Sequence, residues 1–369
     1  MVLTGGGTGG HVLPLKAIAA ALLEAGLDVD DLVIVGSRRG QDKDLLAGTG
    51  IELVLLPGRG IRRSLAPAAM LRNLAAAAGL MVALFRGVAL VARRRPRAVV
   101  SVGGYAAFAA AAGAVATGRP LVLVGLDASP GLVHRLLRPF AVASTAAHEA
   151  GAGPRVVVTG APLRAEIVGI TRSGAERTAA KTRLGLDADR PVVAITSGSL
   201  GAASVNHAAS ELALRWGARG PATLYHVTGR RDGAEVRERR AASGIGDESW
   251  RLVEFELAME DVWRACDVAV CRAGATTVAE LCAAGVPAVL VALPGAPGDH
   301  QAANAAVLAR EGAAVVIDDA ALSGELLDEV LTGLLADPAR LEEMSHAARR
   351  LGRRDAAQRI AEVVMDHAR

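Results

Sequence analysis

Short aliphatic runs alternate with stretches long enough for a helix, and they form two separate series along the chain. After an opening strand at residues 1–4, the first series comprises residues 32–35, 53–56, 98–102, 121–124 and 156–159, and the second comprises residues 192–195, 224–227, 252–255, 268–271, 288–291 and 314–317. Apolar runs joined by crossovers are typical of parallel strands buried on both faces. A charged helical stretch, from Pro162 to about Arg190, separates the two series. The pattern predicts an α/β protein with two doubly wound parallel-sheet domains.

A glycine loop stands between the opening strand and the first helix. Residues 5–10 read Gly-Gly-Gly-Thr-Gly-Gly, and His11 follows where the helix begins. Glycines let backbone N–H groups approach an anion closely, and the helix start adds unpaired donors and a positive dipole end. The loop alone is ambiguous, because Gly5-x-Gly7-x-x-Gly10 also satisfies the dinucleotide fingerprint, whereas a P-loop requires a lysine at the position of His11.

Composition restricts the classes of function. The 369 residues, 51% of them hydrophobic, suffice for two domains that each bury a core. Aromatic residues make up only 2% of the chain, so no aromatic-lined nucleic-acid surface and no nucleic-acid partner are expected. Three cysteines without C-x-x-C spacing argue against a disulfide framework or a zinc site and fit a reducing cytosol. No basic and apolar leader precedes the first strand, which predicts a cytoplasmic protein.

The pattern of a strand, a glycine-containing loop and a helix recurs twice in the second series. Residues 196–202 follow one strand and precede a helix, and residues 272–277 follow another strand and open the helix that carries Glu280. In open parallel sheets, ligands bind at the carboxyl ends of the strands. We therefore expect all three loops to face one cleft between the two domains, with a donor held by one domain and an acceptor by the other.

The second domain offers groups that suit a nucleotide sugar. Glu280 lies about a turn and a half into its helix, where its two oxygens can accept from both hydroxyls of a ribose. Thr276 and the loop amides can hold a diphosphate at the helix N-terminus, with Ser199 on the opposite side. Gln301 and Asn304 share one helix face, and amide pairs of this kind suit sugar hydroxyls.

Few residues are candidates for metal ligands or for a catalytic base. Three Asp-x-Asp pairs, which start at residues 28, 42 and 187, precede strands or begin a helix, so we interpret them as solvated turns or caps and expect no metal ion and no cofactor. Leaving-group charge would then be neutralised by helix N-termini and by Arg164. Since an imidazole titrates near neutrality, His11 can accept the proton of an attacking hydroxyl, although a lone histidine at a helix start often only makes hydrogen bonds.

An apolar stretch at residues 65–91 is flanked by arginines. Its uninterrupted apolar part covers about 12 residues, too few for the ~20 that a spanning helix needs. An amphipathic surface helix rimmed by arginines would lie against anionic lipid headgroups. An ordinary core helix with solvated ends explains the same pattern, so both interpretations stay open at this point.

Taken in order, these motifs resemble the MurG family of glycosyltransferases over nearly the whole chain. Residues 6–11, 102–105 and 197–202 look like three of the family's loops, and residues 271–280 and 299–305 look like its donor-site stretches. The resemblance implies a GT-B fold, with two Rossmann-like domains facing the inter-domain cleft. We expect an N-terminal, membrane-associating acceptor domain over residues 1–162, a UDP-sugar domain over residues 163–345, and a C-terminal helix over residues 346–369 that packs back on the first domain.

The resemblance further implies an inverting, metal-independent N-acetylglucosaminyltransferase of peptidoglycan synthesis. Such an enzyme moves N-acetylglucosamine from UDP-N-acetylglucosamine to lipid I, a polyprenyl-diphosphate-linked acceptor, and so forms lipid II. Members of the family sit on the inner face of the cytoplasmic membrane as peripheral proteins, and a complex with other cell-wall synthesis enzymes is a further expectation.

The family's site residues carry over by matching position. The UDP-sugar site comprises Thr8, Gly9, Gly10, Arg164, Ser199, Gly201, Phe255, Gly274, Ala275, Thr276, Glu280, Gln301 and Asn304, and the acceptor side comprises Gly103, Gly104 and Tyr105. In this assignment Glu280 holds the ribose, Phe255 lies near the uracil, and Gln301 addresses the sugar. Arg164 and Ser199 contact the diphosphate. His11 is the acceptor-side base or orienting group.

One stretch departs from the family pattern. Where the family usually has His-Glu-x-Asn after a strand of the first domain, this chain has Val124-Gly125-Leu126-Asp127. Asp127 supplies a carboxylate near the expected acceptor hydroxyl, and it is assigned to catalysis together with His11.

The departure leaves two alternatives to a lipid I enzyme: the same UDP-sugar donor with another acceptor, such as a specialised glycolipid or secondary metabolite, or a catalytically impaired UDP-sugar-binding scaffold. An NADP-dependent dehydrogenase is a third alternative, drawn from the fingerprint at residues 5–10 and from Arg38-Arg39.

Overall fold

The computed structural model describes residues 1–57, 67–151, 153, 156–198 and 201–368, with the backbone alone for residues 67–77, 150 and 297. The chain divides into two units. Unit 1 is Met1–Arg164 with Arg354–Arg369, and unit 2 is Ala165–Arg353.

Strands and helices alternate along most of the chain. The strands are β1 (Val2–Thr4), β2 (Val33–Ser37), β3 (Glu52–Leu56), β4 (Val99–Ser101), β5 (Leu121–Gly125), β6 (Ala143–Ala146), β7 (Val156–Val158), β8 (Val192–Thr196), β9 (Thr223–Val227), β10 (Trp250–Val253), β11 (Val268–Arg272), β12 (Ala288–Val291) and β13 (Ala314–Ile317). The helices are α1 (Gly9–Glu24), α2 (Asp42–Leu45), α3 (Pro67–Arg94), α4 (Phe108–Ala116), α5 (Leu132–Leu137), α6 (Ala165–Val168), α7 (Gly174–Arg183), α8 (Ala203–Trp216), α9 (Gly233–Ser243), α10 (Met259–Ala265), α11 (Ala275–Ala284), α12 (His300–Arg310), α13 (Gly324–Leu335), α14 (Pro338–Leu351) and α15 (Ala356–His367).

Each unit contains one parallel, doubly wound sheet. The strand order is β3-β2-β1-β4-β5-β6-β7 in unit 1 and β10-β9-β8-β11-β12-β13 in unit 2. In unit 1 the central residue Leu3 of β1 pairs with Ile34 on one side and with Val100 on the other. The winding direction reverses between β1 and β4, and again between β8 and β11. The predicted pair of doubly wound parallel-sheet domains is confirmed.

Aliphatic side chains form both cores. Val35 and Val99 are fully buried in unit 1, and Ile195 is fully buried in unit 2. All three cysteines are buried in unit 2. Burial raises the pKa of Cys266 to about 11 and that of Cys282 to about 12. These thiols therefore stay protonated and pack as small apolar residues.

Two strands differ from the sequence prediction. The strand β6 was not predicted because its residues, Ala-Ser-Thr-Ala, contain no aliphatic run, and it forms because β5 and β7 pair with it on both sides. The strand β10 begins two residues before the predicted run. Trp250, its first residue, is fully buried. This earlier start leaves Phe255 beyond the end of the strand.

The C-terminal region forms two helices instead of the single one expected over residues 346–369. The helix α14 ends at Leu351, and Gly352 follows at a close approach, where a Cβ atom would lie 2.7 Å from the Cys282 carbonyl oxygen. The helix α14 packs on α11 and α13 within unit 2, whereas α15 packs on α1 within unit 1.

Candidate active site

In each unit, two glycine-containing loops flank the point where the winding direction of the sheet reverses. In unit 1 these loops follow β1 and β4, and in unit 2 they follow β8 and β11. A ligand of an open parallel sheet binds outside the carboxyl ends of the strands at this point. The topology therefore indicates a site at residues 5–10 and 102–105 of unit 1, and another around Gly198, Gly201 and Gly274 of unit 2.

The first glycine loop is held by a buried carboxylate. Asp42, the first residue of α2, is 1% exposed, and its two oxygens accept hydrogen bonds from the Gly7 N–H and the Ser37 N–H, each at 2.9 Å. A Cβ atom on Gly6 or Gly36 would overlap this carboxylate. The interpretation of the Asp pair at residue 42 as a solvated turn or cap is therefore wrong for Asp42, because these glycines leave a space that its side chain fills.

This arrangement limits how the first loop can bind an anion. The Gly5 N–H donates to the Val35 carbonyl at 3.2 Å, and the Gly7 N–H is bonded to Asp42. Neither amide is available to a ligand. The predicted anion binding by this loop would therefore involve its other amides and the N-terminus of α1, which begins at Gly9, and it stays a prediction.

Tyr105 links the loop at residues 102–105, the second glycine loop of unit 1, to the first glycine loop at residues 5–10. Its hydroxyl lies 3.0 Å from Ser37 Oγ, and a Cβ atom on Gly7 would lie 3.3 Å from the Tyr105 oxygen. Gly103 and Gly104 have φ values of +89° and +80°, which favour glycine. The structure thus brings the three predicted acceptor-side residues together with the first loop.

His11 lies in the first turn of α1, beside the second glycine loop. Its Nδ1 is 3.3 Å from Thr8 Oγ1, and a Cβ atom on Gly104 would lie 3.4 Å from its Nε2. Asp127, beyond the end of β5, is half-buried. Asp127 and the buried His134 line one cavity, and His134 lies beside Gly103 as His11 lies beside Gly104. The predicted base and carboxylate therefore share one neighbourhood, and their catalytic roles stay predictions.

The positions of the family's His-Glu pair lie at the end of β5. Val124 is fully buried and pairs with Thr145, and Gly125 pairs with Ala146. Because successive side chains of a strand point to opposite faces, position 125 lies on the face opposite to that of the buried Val124 side chain. Glycine leaves that position without a side chain.

Two residues were predicted to contact a diphosphate. Ser199 lies outside the described residues. Arg164 is half-buried, and its buried Nε has no hydrogen-bond partner in the part of the chain that the structure describes. An unsatisfied guanidinium donor suits an anionic ligand, so this observation is compatible with the predicted role of Arg164.

The loop after β8 is fixed by a buried amide. Asn206 of α8 is 2% exposed, its Nδ2 donates to the Thr228 carbonyl at 2.9 Å, and its Oδ1 accepts from Ser197 Oγ at 3.0 Å. The same Oδ1 lies 2.9 Å from His226 Nε2. Gly201, at φ +90°, approaches so closely that a Cβ atom would lie 2.7 Å from the Thr228 oxygen. Ser197 and Gly201, two described residues of this loop, are therefore positioned by contacts within unit 2.

His226 makes the stability of unit 2 depend on pH. The side chain is fully buried, and burial lowers its pKa from 6.5 to about 3. Between these two values the unfolded chain binds a proton that the folded chain does not, so the free energy of unfolding falls as the pH drops below 6.5. The expected slope from this group is up to about 1.4 kcal/mol per pH unit. Urea unfolding at pH 7.5 and pH 5.5 measures this dependence. The free energy of unfolding should differ less between the two pH values in His226→Gln than in the wild type. If this pH difference were the same in both proteins, His226 would not be its source.

Glu280 lies in α11, the helix that follows the glycine loop after β11. Its side chain is 7% exposed, and one carboxylate oxygen accepts a hydrogen bond from Trp263 Nε1 at 2.9 Å. The helix begins at Ala275, directly after Gly274, so these residues and Thr276 form its half-buried N-terminal turn. The Trp263 bond fixes the orientation of the carboxylate, which had been predicted to hold a ribose.

Arg272 ties several elements together at the carboxyl edge of the sheet. It forms an ion pair with Asp319 at 2.6 Å, donates to Ser204 Oγ at 2.7 Å, and donates to the Ala292 carbonyl at 3.1 Å. The end of β11 is thereby joined to the start of α8 and to the segment after β12. Arg272, the last residue of β11, therefore has a structural role.

The two amides of α12 have different environments. Asn304 is fully buried and donates to the Ala273 carbonyl at 3.0 Å, so it supports the loop before α11. Gln301 is half-buried, and its Oε1 accepts from the Leu293 N–H at 3.0 Å. The Asn304 side chain is enclosed in this structure, and the expectation that both amides reach one ligand stays a prediction. Contact between Gln301 and a sugar stays a prediction.

Phe255 lies two residues beyond β10 and is half-buried. The guanidinium of Arg230 stands 5.1 Å from the centre of its ring, a cation–π contact that the sequence did not predict. Glu256, the next residue, accepts from the Tyr225 hydroxyl at 2.5 Å and from the Ala258 N–H at 2.8 Å. These contacts tie the segment after β10 to β9.

Comparison with known proteins identifies the family. The model of the glycosyltransferase family 28 N-terminal domain matches residues 1–145, and that of the family 28 C-terminal domain matches residues 192–360. A protein of Desulfitobacterium hafniense (strain Y51) is 36% identical over 100% of this chain and 99% of its own length. It is named UDP-N-acetylglucosamine--N-acetylmuramyl-(pentapeptide) pyrophosphoryl-undecaprenol N-acetylglucosamine transferase. The chain belongs to glycosyltransferase family 28.

Further relatives of this family 28 glycosyltransferase agree. A protein of Alkalilimnicola ehrlichii with the same name is 37% identical over 100% of this chain and 99% of its own length. The crystal structure of Acinetobacter baumannii MurG is 27% identical, covers 99% of both chains and superposes with a TM-score of 0.75. A UDP-GlcNAc 2-epimerase of Neisseria meningitidis, with 16% identity and a TM-score of 0.68 over 99% of both chains, shows the fold alone. The MurG resemblance and the GT-B fold class are confirmed.

Proposed function

We propose that this family 28 enzyme transfers N-acetylglucosamine from UDP-N-acetylglucosamine to N-acetylmuramyl-(pentapeptide) pyrophosphoryl-undecaprenol, or lipid I, and so forms lipid II. The observation that carries this proposal is the 36–37% identity, over the full length of both chains, to transferases of that name. The two pairs of glycine loops at the reversal points of the sheets support it.

Unit 2 is proposed to hold the donor. Glu280, fixed by Trp263, accepts hydrogen bonds from the ribose hydroxyls, and the N-terminal turn of α11 faces the diphosphate. Phe255 is assigned to the uracil, Gln301 to the sugar and Ser199 to the diphosphate. Arg164, the residue before unit 2 begins, is also assigned to the diphosphate. Thr276 and the loop glycines complete the donor site.

Unit 1 is proposed to bind the acceptor through its two glycine loops. The acceptor hydroxyl attacks the anomeric carbon of N-acetylglucosamine from the side opposite to UDP, so the configuration at that carbon inverts. His11 accepts the hydroxyl proton, and UDP leaves with the electron pair of the broken bond. Asp127 stabilises the imidazolium through its negative charge. Helix N-termini and Arg164 offset the charge of the leaving diphosphate without a metal ion.

An acceptor panel tests this proposal. The purified chain is incubated with UDP-N-acetylglucosamine and, in parallel, with a short-chain lipid I analogue, the same analogue without its sugar, and a set of small aglycones. Mass spectrometry should show one added N-acetylhexosamine on the lipid I analogue alone. Transfer to an aglycone but not to the lipid I analogue would favour the specialised acceptor that Val124 and Gly125 raise as an alternative. UDP binding without transfer to any acceptor would favour the scaffold.

We propose that unit 1 also attaches this enzyme to the inner face of the cytoplasmic membrane. No described helix is both long and apolar enough to cross a membrane. Large apolar side chains are nevertheless exposed on α3 and on α5 with the turn after it: Met81, Val82, Phe85, Leu132, Leu136 and Phe140. Both helices pack on α4. Arg86 and Arg135, also exposed, stand beside these residues in the sequence and suit anionic headgroups.

Replacing two of these side chains should weaken membrane binding. Phe85, 69% exposed, and Leu136, 55% exposed, each gain about 1.5–3 kcal/mol when fully buried in an apolar phase. Because each side chain is already partly buried, we expect the double variant Phe85→Ser/Leu136→Ser to bind anionic vesicles at least about tenfold more weakly in a sedimentation assay. The matched control is Leu257→Ser in unit 2, which removes a side chain that is 74% exposed. Equal binding by the double variant and the wild type would contradict this attachment.

A further inference from the structure

Three polar side chains from different elements of unit 2 meet at the carboxyl edge of its sheet. Arg272 ends β11, Ser204 lies in the first turn of α8, and Asp319 stands two residues beyond β13. The Arg272 guanidinium pairs with Asp319 Oδ1 at 2.6 Å and donates to Ser204 Oγ at 2.7 Å. The Ser204 hydroxyl in turn donates to the same Asp319 oxygen at 2.7 Å. Each of the three residues contacts the other two, and we call this group the edge cluster.

The edge cluster is partly shielded from water. The side chains of Arg272 and Asp319 are only 11% and 19% exposed, so solvent screens their attraction less than that of a surface ion pair. Hydrogen bonds that involve a charged group are also stronger than neutral ones. Arg272 donates in addition to the Val291 and Ala292 carbonyls at the end of β12, at 3.3 and 3.1 Å. The cluster therefore holds its members in one arrangement.

This arrangement links the starts of two helices. The strands β8 and β11 are neighbours in the sheet, and α8 and α11 follow them at the same edge. Ser204 is the second residue of α8, whereas Arg272 stands three residues before α11 begins. The carbonyl of the intervening Ala273 accepts from Asn304 Nδ2 at 3.0 Å, which holds the same segment from a second side. The first turns of α8 and α11, which offer N–H groups to an anion, are therefore tied to each other.

We propose that Ser204 and Asp319 are positioning residues of the donor site. Through Arg272 they set the distance between the N-termini of α8 and α11, so that N–H groups of both first turns address one diphosphate. Neither residue touches the donor in this proposal, and neither takes part in bond breaking. The inference rests on the proposed function, because it concerns the diphosphate site of the same donor.

The charge of Asp319 makes the sign of the expected effect informative. A carboxylate near a diphosphate repels it, so Asp319→Asn would strengthen UDP binding if charge alone mattered. Loss of the ion pair, in contrast, releases the end of β11 from the start of α8, which weakens binding by a site that needs both. We expect weaker binding, because Arg272 already offsets the charge of Asp319 at 2.6 Å.

Calorimetric titration with UDP and with uridine tests this assignment. We expect Asp319→Asn and Ser204→Ala to raise the Kd for UDP about tenfold and about fivefold. The Kd for uridine, which lacks the diphosphate, should not change. Ser204→Thr, which keeps the hydroxyl, should bind UDP like the wild type. Asp318→Asn is the matched control, since this exposed neighbour of Asp319 loses the same charge without belonging to the edge cluster.

A double variant tests whether the two residues act together. Ser204→Ala/Asp319→Asn should bind UDP about as well as Asp319→Asn alone, because both changes act through Arg272. Fully additive losses would contradict a shared role. Circular dichroism verifies that each variant is folded.

The outcomes separate this positioning role from the transfer reaction. Weaker UDP binding in the variants, without transfer to the lipid I analogue by the wild type, would support the positioning role and count against the proposed function. Unchanged or tighter UDP binding in folded Asp319→Asn and Ser204→Ala would overturn the positioning role and leave transfer by the wild type standing. Equal changes for UDP and uridine would also overturn it. A wild type that binds no UDP would overturn both.

Discussion

Asp42→Ala is expected to lower the free energy of unfolding by about 2–5 kcal/mol and to abolish most acceptor-dependent activity. The substitution leaves the N–H groups of the half-buried Gly7 and of the buried Ser37 without an acceptor, at up to about 1–3 kcal/mol each. It also empties the space that Gly6 and Gly36 leave for the carboxylate. Because Gly7 belongs to the first glycine loop, its release should raise the acceptor KM. Thermal unfolding followed by circular dichroism, together with steady-state kinetics, measures both effects.

Two further variants separate position from charge. Asp44→Ala removes an exposed carboxylate from the same short helix and should change neither property. Asp42→Asn keeps the shape but has only one accepting oxygen, so an intermediate loss is expected. If Asp42→Ala were as stable and active as Asp44→Ala, Asp42 would not be what holds the loop.

Glu280→Gln is expected to lower kcat/KM for UDP-N-acetylglucosamine about 100-fold, mainly through KM. The carboxylate is nearly buried, and Trp263 fixes one of its oxygens. Hydrogen bonds to a charged group contribute about 1.5–3 kcal/mol each, so weakening both ribose contacts accounts for a loss of this size. Initial rates at several donor concentrations measure it.

The ribose hydroxyls provide a direct control for Glu280. The wild type should bind UDP much more tightly than its 2′-deoxy analogue, and Glu280→Gln should bind the two almost equally. Glu311→Gln, an exposed glutamate just beyond α12, should behave like the wild type. A Glu280→Gln variant that still distinguished the two nucleotides would show that this carboxylate does not hold the ribose. Trp263→Phe should have a smaller effect of the same kind, because it removes the orienting bond and keeps the carboxylate.

The repeating pattern of the sequence predicted the architecture well because parallel strands buried on both faces must be apolar throughout. Residues 192–195 and 268–271 were located almost to the residue for this reason. The strand β6 escaped prediction because hydrogen bonds to both neighbours, and not its own residues, stabilise it. Pattern analysis cannot detect a strand that depends on its partners.

The glycine loops were predictable, whereas the residues that support them were not. Glycines and the helix that follows them are local signals, and they lie together in the sequence. Asp42 holds a loop 35 residues away, and His226 reaches Asn206 across 20 residues, so only the fold brings these pairs together. One signal was available for Asp42, because Gly36 and Gly40 flank the space that its carboxylate fills.

The stoichiometry of UDP release tests the central claim most directly. The purified enzyme is supplied with UDP-N-acetylglucosamine, with and without the lipid I analogue, and free UDP and disaccharide product are quantified over time. The account predicts that UDP forms only when the analogue is present, and that one disaccharide-bearing product appears for each UDP released. UDP release at the same rate without the analogue, or no disaccharide despite bound donor, would contradict it.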